Sequence, residues 1–148
     1  MNLRTPDERG SAMVMTLGAL AVLAVIAVSA IAVVTSEKRT GFSDYTGTRA
    51  FYSADAASEA GVNWIKHQYN PPVVIDSVQR VLRNDIYTPT QNSNSYKFDV
   101  TYVRKRYRPG WSVEFKDYEY RVDALGASAQ AAEAAVELKA TRLYREGY

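Results

Sequence analysis

Residues 11–36 form an unbroken stretch of 26 residues without a charged side chain. The stretch opens Ser-Ala-Met-Val-Met-Thr-Leu-Gly-Ala-Leu and continues through Ala-Val-Leu-Ala-Val-Ile to Val34. As an α-helix it would extend about 39 Å at ~1.5 Å per residue, more than the ~30 Å hydrocarbon core of a bilayer. Leaving so many apolar side chains in water is not a stable option, and the Asp, Lys and Arg that oppose insertion are missing. The stretch predicts a single membrane-spanning helix. A helix buried in a soluble core would need apolar neighbours all round. The 112 residues that follow it, about three quarters of the chain, are few for that task.

Residues 1–10 are short and polar, with Arg4 and Arg9 balanced by Asp7 and Glu8. Lys and Arg beside a span set orientation more strongly than acids, so the amino end is expected to stay cytoplasmic. Lys38 and Arg39 on the far side oppose that orientation; the amine of Met1 and the early position of the span favour it. A secretory signal is the alternative. Ala27-Val28-Ser29-Ala30 offers small residues at signal-peptidase spacing, and a cut there would leave a soluble periplasmic protein. The apolar run is, however, longer than the ~7–15 residues of an ordinary signal core.

Composition removes several function classes. The chain has no cysteine, which excludes disulfides, thiolate metal sites and cysteine nucleophiles. Its one histidine, His67, excludes a site needing two imidazoles. A formal net charge of +2 over 148 residues gives no global attraction for a polyanion.

The residues flanking the start of the apolar run carry a resemblance. Glu8-Arg9-Gly10-Ser11-Ala12-Met13-Val14 resembles the processing site of type IV prepilins. In that family a dedicated peptidase cuts after the glycine on the cytoplasmic face and methylates the new amine. The resemblance implies cleavage between Gly10 and Ser11, with N-methylation of Ser11. Further on, Arg49-Ala50-Phe51-Tyr52-Ser53-Ala54-Asp55-Ala56-Ala57-Ser58-Glu59-Ala60-Gly61 resembles the segment that follows the span in PilX-type minor pilins. Major pilins carry an acid at the fifth mature position, which pairs with a neighbour's terminal amine in the filament core. Here that position is Met15. A subunit without the acid avoids burying a charge but cannot neutralise an adjoining amine. The resemblance therefore implies a subunit present in few copies, at the tip or in priming. It covers residues 4–66; beyond them it is architectural only.

The helical pattern continues past the membrane. Ala50, Ala54, Ala57, Gly61 and Ile65 recur at spacings of four, three, four and four, a stripe of small residues that lets another element approach closely. Phe42, Tyr45 and Tyr52 add bulk nearby, and Gly18, Gly41 and Gly47 are helix glycines read either as tolerated or as points of flexibility or close packing. Asn70-Pro71-Pro72 stops the helix. Residues 73–84 are expected to form a short second helix with Val78, Val81 and Leu82 inward, and residues 85–94 a loop.

The period then changes to two. Tyr96, Phe98, Val100 and Tyr102 alternate with polar residues, Pro109-Gly110 marks a turn, and Val113, Phe115, Tyr118, Tyr120, Val122 and Ala124 follow. A second turn is expected around Gly126-Ala127-Ser128. Ala134, Val136, Leu138 and Ala140 form a last alternating run, although the alanine-rich residues 127–138 also suit a helix. The expected fold is α+β and pilin-like: a long N-terminal helix, membrane-spanning in its first half, packed on an antiparallel sheet of three or four strands. The expected parts are a leader (1–10), the transmembrane half of the helix (11–36), its exposed half (37–70) and a globular head (71–148).

Arg104, Lys105, Arg106 and Arg108, interleaved with Tyr102, Tyr107 and Trp111, are the candidate contact for single-stranded DNA or a surface. The competing reading is favoured: Glu114, Asp117, Glu119 and Asp123 follow, and a hairpin would set opposite charges across the strands. Asp55 and Glu59 share a helix face but lack a nucleophile, histidine or metal partner, so no catalytic site, metal or cofactor is expected. His67 is read as a cation at a helix carboxyl end, and the eleven tyrosines as packing and interface residues. The expected role is a minor pilin or pseudopilin subunit, not an enzyme. Its partners would be other pilin subunits, the prepilin peptidase, the inner-membrane assembly platform and the lipid bilayer. The alternative is a secreted or anchored binding module with a basic, tyrosine-rich sheet.

Overall fold

Prolines 71 and 72 cannot continue a helix, and the long first helix ends just before them. In the computed structural model, which describes residues 7–90 and 93–146, α1 runs Asp7–His67. Five strands follow: β1 (Arg80–Leu82), β2 (Thr88–Pro89), β3 (Ser95–Tyr107), β4 (Phe115–Ala127) and β5 (Glu133–Arg145). The fold is α+β, a long apolar N-terminal helix and an antiparallel five-stranded sheet. The sheet order is β1-β3-β4-β5, with β2 also on β3. The chain divides into two compact units, residues 1–42 and 43–148. Residues 1–6 of the expected leader lie outside the described residues.

In the second unit the helix stripe meets the sheet as its spacing requires. Ala50, Ala54 and Ala57 are fully buried, and Gly61 and Ile65 are buried with them. Small side chains set the separation. A Cβ on Gly61 would run into Val122 and Phe98, and one on Gly126 would collide with the helix backbone at Ala50, Ser53 and Ala54. Glycine at 126 is thus a requirement of close backbone approach. Polar residues in this interface turn inward on the helix itself. The hydroxyls of Thr46, Ser53 and Ser58 donate to the carbonyls of Ser43, Arg49 and Asp55 at 2.8–3.1 Å, so their burial leaves no orphan donor.

The sheet face toward this helix is built from matched alternate residues. Phe98, Val100 and Tyr102 pair with Ala124, Val122 and Tyr120, and these pair in turn with Val136, Leu138 and Ala140. The core comprises Ile65, Val81, Val100, Tyr120, Val122 and Tyr144. Tyrosine rings extend it in edge contacts, Tyr102 on Tyr120 at 6.1 Å and Tyr118 on Tyr144 at 5.3 Å. Such pairs contribute about 0.5–1.5 kcal/mol beyond their buried area.

Several expectations are corrected. Residues 73–84 form no helix. Asp76 accepts the amides of Val78 and Arg80, both at 3.0 Å, and Gln79 takes a left-handed φ of 63°. The result is a tight turn that feeds β1, with Val81 buried and Val78 exposed. The carboxylate captures amides that a helix would need, and the β-branched Val73-Val74-Ile75 offers little to oppose it. The expected loop over 85–94 contains β2, and the sheet has five strands because β1 and β2 are added to the three long ones. Gly126 and Ala127 belong to β4; the turn is at Ser128, which donates its amide to Ala132 and accepts one from Ala131. Residues 133–145 are strand, as the alternation from Ala134 led one to expect, but Val113 sits exposed in the β3–β4 loop and outside β4.

Candidate functional site

Two regions carried functional expectations, the apolar helix and the basic hairpin. In the first unit every described residue from Gly10 to Phe42 is exposed. Leu17, Leu20, Leu23, Ile26, Ile31 and Val34 present half or more of their surface. The apolar side chains point in all directions, so no face is reserved for water. The helix is long and apolar enough to cross a membrane, and none of its most apolar window is buried within the chain. Thr16, Ser29 and Thr35 do not interrupt this character, because each hydroxyl donates to a carbonyl three or four residues back at 2.8–2.9 Å. Gly10 and Ser11 lie within α1. A Cβ at Gly10, Gly18, Gly41 or Gly47 would meet nothing within 4 Å. Internal packing therefore does not explain a glycine at any of these positions.

The basic run lies along the outer half of β3. The β3–β4 register shifts between Tyr102 and Arg104, a bulge at Val103. An extra residue reverses which way the following side chains point. Arg104 and Arg106 consequently share the Glu119 carboxylate at 2.7 and 3.2 Å. Lys105 goes to the other face, over the ring of Tyr118 and onto Glu146 at 2.7 Å. Arg108 lies 3.8 Å from Asp117 and over Trp111. The four cations expected as one patch are thus split between two faces, each with a carboxylate partner. The Arg104 hydrogen bond holds Glu119 below the usual carboxylate range.

Chain comparisons add no relative. No family model, curated protein or solved structure matches this chain.

Sequence reading missed the cluster at Glu146. Its carboxylate accepts from Lys105, Lys116 and the Tyr118 hydroxyl, the last at 2.5 Å. The two lysines and the tyrosine hold Glu146 down at about 2, and burial together with this hydrogen bond pushes Tyr118 up to about 12. Also missed was Arg142, whose guanidinium donates to the carbonyl of Ile65 in the last turn of α1. Parity was the available signal: Arg142 falls between Ala140 and Tyr144 on the inward face of β5.

Asp55 and Glu59 do lie near one another. They rim a groove of about 660 Å³ between the helix and β5, with Ala56, Val62, Asn63 and Leu138 also lining it. No group of three metal-ligating side chains occurs among the described residues. The ring Nδ1 of His67 lies 2.8 Å from the carbonyl of Asn63, a contact internal to the helix end.

Proposed function

We propose that this chain is a minor pilin or pseudopilin, a structural subunit assembled through its N-terminal helix into a type IV pilus-like filament. In this reading the prepilin peptidase cuts between Gly10 and Ser11 and the new amine is methylated. Residues 11–36 then hold the protein in the inner membrane, amino end cytoplasmic, until the assembly platform extracts it into the filament. The observation that carries the reading is the sequence of events at Gly10. A glycine that no packing demands is followed at once by a charge-free helix with no partner inside its own chain. A secretory signal has the reverse order, apolar core first and cut afterwards.

The chemistry of assembly follows from that helix. Lipid tails and like helices solvate it equally well, so transfer from bilayer to filament exchanges one apolar surrounding for another. Met15 at the fifth mature position spares the subunit a buried carboxylate. Its neighbour's amine then lacks an anion, which suits a subunit used in priming or at the tip. The alternative of a DNA- or surface-binding module is weakened by the ion pairs that divide the basic run.

The test is the intact mass of the mature protein. Loss of residues 1–10 with gain of one methyl group is expected. Loss of residues 1–30 overturns the reading. Gly10→Trp should leave the full-length precursor in the membrane, and normal processing of that variant would count equally against it.

A further inference from the structure

The sheet ends on an open edge. In the order β1-β3-β4-β5 the last strand has a neighbour on one side only. Proline and bulges are the devices that blunt such an edge. β5 has neither: its 13 residues contain no proline and pair with β4 without a register shift. Its ladder has a fixed parity. Just beyond the two ends of the strand pair, the Ser128 amide donates to the Ala132 carbonyl and the Glu146 amide to the Glu114 carbonyl. Antiparallel strands bond through every second pair, so the even-numbered residues of β5 bond β4. Ala135, Glu137, Lys139, Thr141 and Leu143 turn their amides and carbonyls outward, and no hydrogen bond among the described residues takes them.

The inner side of this edge is unfilled as well. Val136, Leu138 and Ala140 face the helix yet stay half-buried. Beside them lies the groove of about 660 Å³, lined in part by Leu138, Ala56 and Val62. Its rim carries both signs, Asp55 and Glu59 with Lys66, so an uncharged strand suits it better than a charged one.

The chain holds such a segment at the opposite edge of the sheet. Asn70 to Ile75 is uncharged, and residues 71–75 run without a turn or bend. The β-branched Val73, Val74 and Ile75 are all exposed, although such side chains favour a sheet. The Ile75 amide donates to the Arg80 carbonyl of β1 at 2.7 Å. Successive peptide groups of an extended chain point to opposite sides, so the amide and carbonyl of Val74 face away from β1. The register also sets a height. Arg80 lies opposite Thr101, Thr101 opposite Arg121, and Arg121 opposite Lys139. β4 runs alongside α1, with Gly126 at Ala50 and Ala54 and Val122 at Gly61, so this row crosses the helix at one level. Ile75 and Lys139 therefore stand at one height on the two edges of the sheet.

Resting on the filament reading above, we propose that the outer edge of β5 receives the Val73–Ile75 segment of a second copy as an added strand. Copies anchored at one depth bring these two edges level. Antiparallel pairing of β5 with β5 would invert one copy, which a shared bilayer forbids. In the added strand Val74 exchanges hydrogen bonds with the edge around Lys139, and alternate side chains of the segment cover Leu138. The contact joins unlike edges and is heterologous, the kind that extends into a filament.

The test places a photoreactive benzoylphenylalanine at Val73 of one tagged copy, co-expressed as full chains in membranes with a differently tagged copy. Irradiation should give a product carrying both tags, with the crosslink inside residues 133–145 of the second copy. Its yield should exceed that from a probe at Val113, also exposed, by about tenfold. Lys139→Pro in the receiving copy removes an outward amide and no bond to β4. That variant should cut the yield about tenfold, while Lys139→Ala leaves it within about twofold. Val74→Pro in the probe copy breaks no hydrogen bond of the described residues and should cause the same loss, which covers the case in which Lys139→Pro lowers the melting of the head. No two-tag product, a crosslink outside β5, or a yield indifferent to both prolines overturns the proposal. Intact mass on the same samples separates the two readings: correct cleavage at Gly10 without the two-tag product leaves the filament role standing and removes this contact.

Discussion

The two halves of α1 obey opposite rules. From Gly10 to Phe42 large apolar residues cover the whole circumference and all are exposed, and added atoms at Gly18 or Gly41 would touch nothing. From residue 43 the helix has sides. Ala50, Ala54, Ala57 and Gly61 are buried under a sheet whose Gly126 admits the helix backbone, while Tyr52, Asp55 and Glu59 stay outside. The second half finds its complement within the same polypeptide; the first half does not. A helix apolar all round is a statement about its surroundings: this one is long and apolar enough to cross a membrane, and its most apolar window is not covered by the chain itself. The lesson is that hydrophobicity alone does not make a core. Size complementarity does, and only the second half has it.

That contrast can be broken most sharply in the first half. Val25→Arg should cost about 2.5–3.5 kcal/mol of membrane insertion. The full chain should then be released by alkaline extraction, while the thermal melting of the head is unchanged. Retention in the membrane would mean that residues 11–36 are not what holds it there. The next largest effect belongs to the second half. Gly126→Ala should destabilise the head by about 1–3 kcal/mol, because its methyl group has to displace helix backbone and not a flexible side chain. Gly47→Ala, on the same helix but facing open space, should instead be neutral or stabilise by up to ~1 kcal/mol. Denaturant midpoints of the two variants should therefore move in opposite directions or differ plainly in size.

A smaller effect should appear in acid. The carboxyl of Glu146 titrates at about 2 when folded, below its ordinary 4.5. Its pairing with Lys105 and Lys116 therefore contributes stability that is full above pH ~4.5 and fades as the pH falls toward about 2. Glu146→Gln should lower stability at neutral pH and flatten that acid limb. A wild-type limb retained in the variant would assign the acid sensitivity to other carboxylates. The smallest change sharpens the comparison at a turn. Ala131 is held at a φ of 60° between β4 and β5, where a residue with a Cβ is strained. Ala131→Gly should stabilise the head by roughly 0.5 kcal/mol, strain relief being partly offset by the entropy glycine loses on folding. An unchanged or lowered melting midpoint would show that packing at this turn outweighs backbone strain.

Much of this architecture was legible because it is periodic. The stripe from Ala50 to Ile65 and the alternation of Tyr96 to Tyr102 each repeat a short rule several times, and both landed where that rule put them. What was illegible is either local chemistry or long-range pairing. Residues 73–84 looked helical by their apolar spacing, but one carboxylate at Asp76 redirected the backbone. Gly126 looked like a turn because glycine usually marks one, and only the helix lying across it explains its presence. The basic run looked continuous in sequence. Strand alternation alone sets Lys105 opposite Arg104, Arg106 and Arg108; which face each set takes was decided by a bulge at Val103, an event with no compositional mark. Glu146 meets Lys105 across 41 residues of sequence, a distance at which charge alone gives no register.

The guanidinium of Arg142 joins the last turn of the helix to a strand 77 residues further along the chain. Helix ends ordinarily fray first, since their final carbonyls have no internal partner. Here one of those carbonyls is fastened to β5, which is itself zipped to β4 over its full length. A pull that began to unwind the carboxyl end of α1 would therefore load a strand inside its hydrogen-bond ladder, at the Tyr118–Arg142 pair, so resistance to tension would come from the sheet and not from the helix alone.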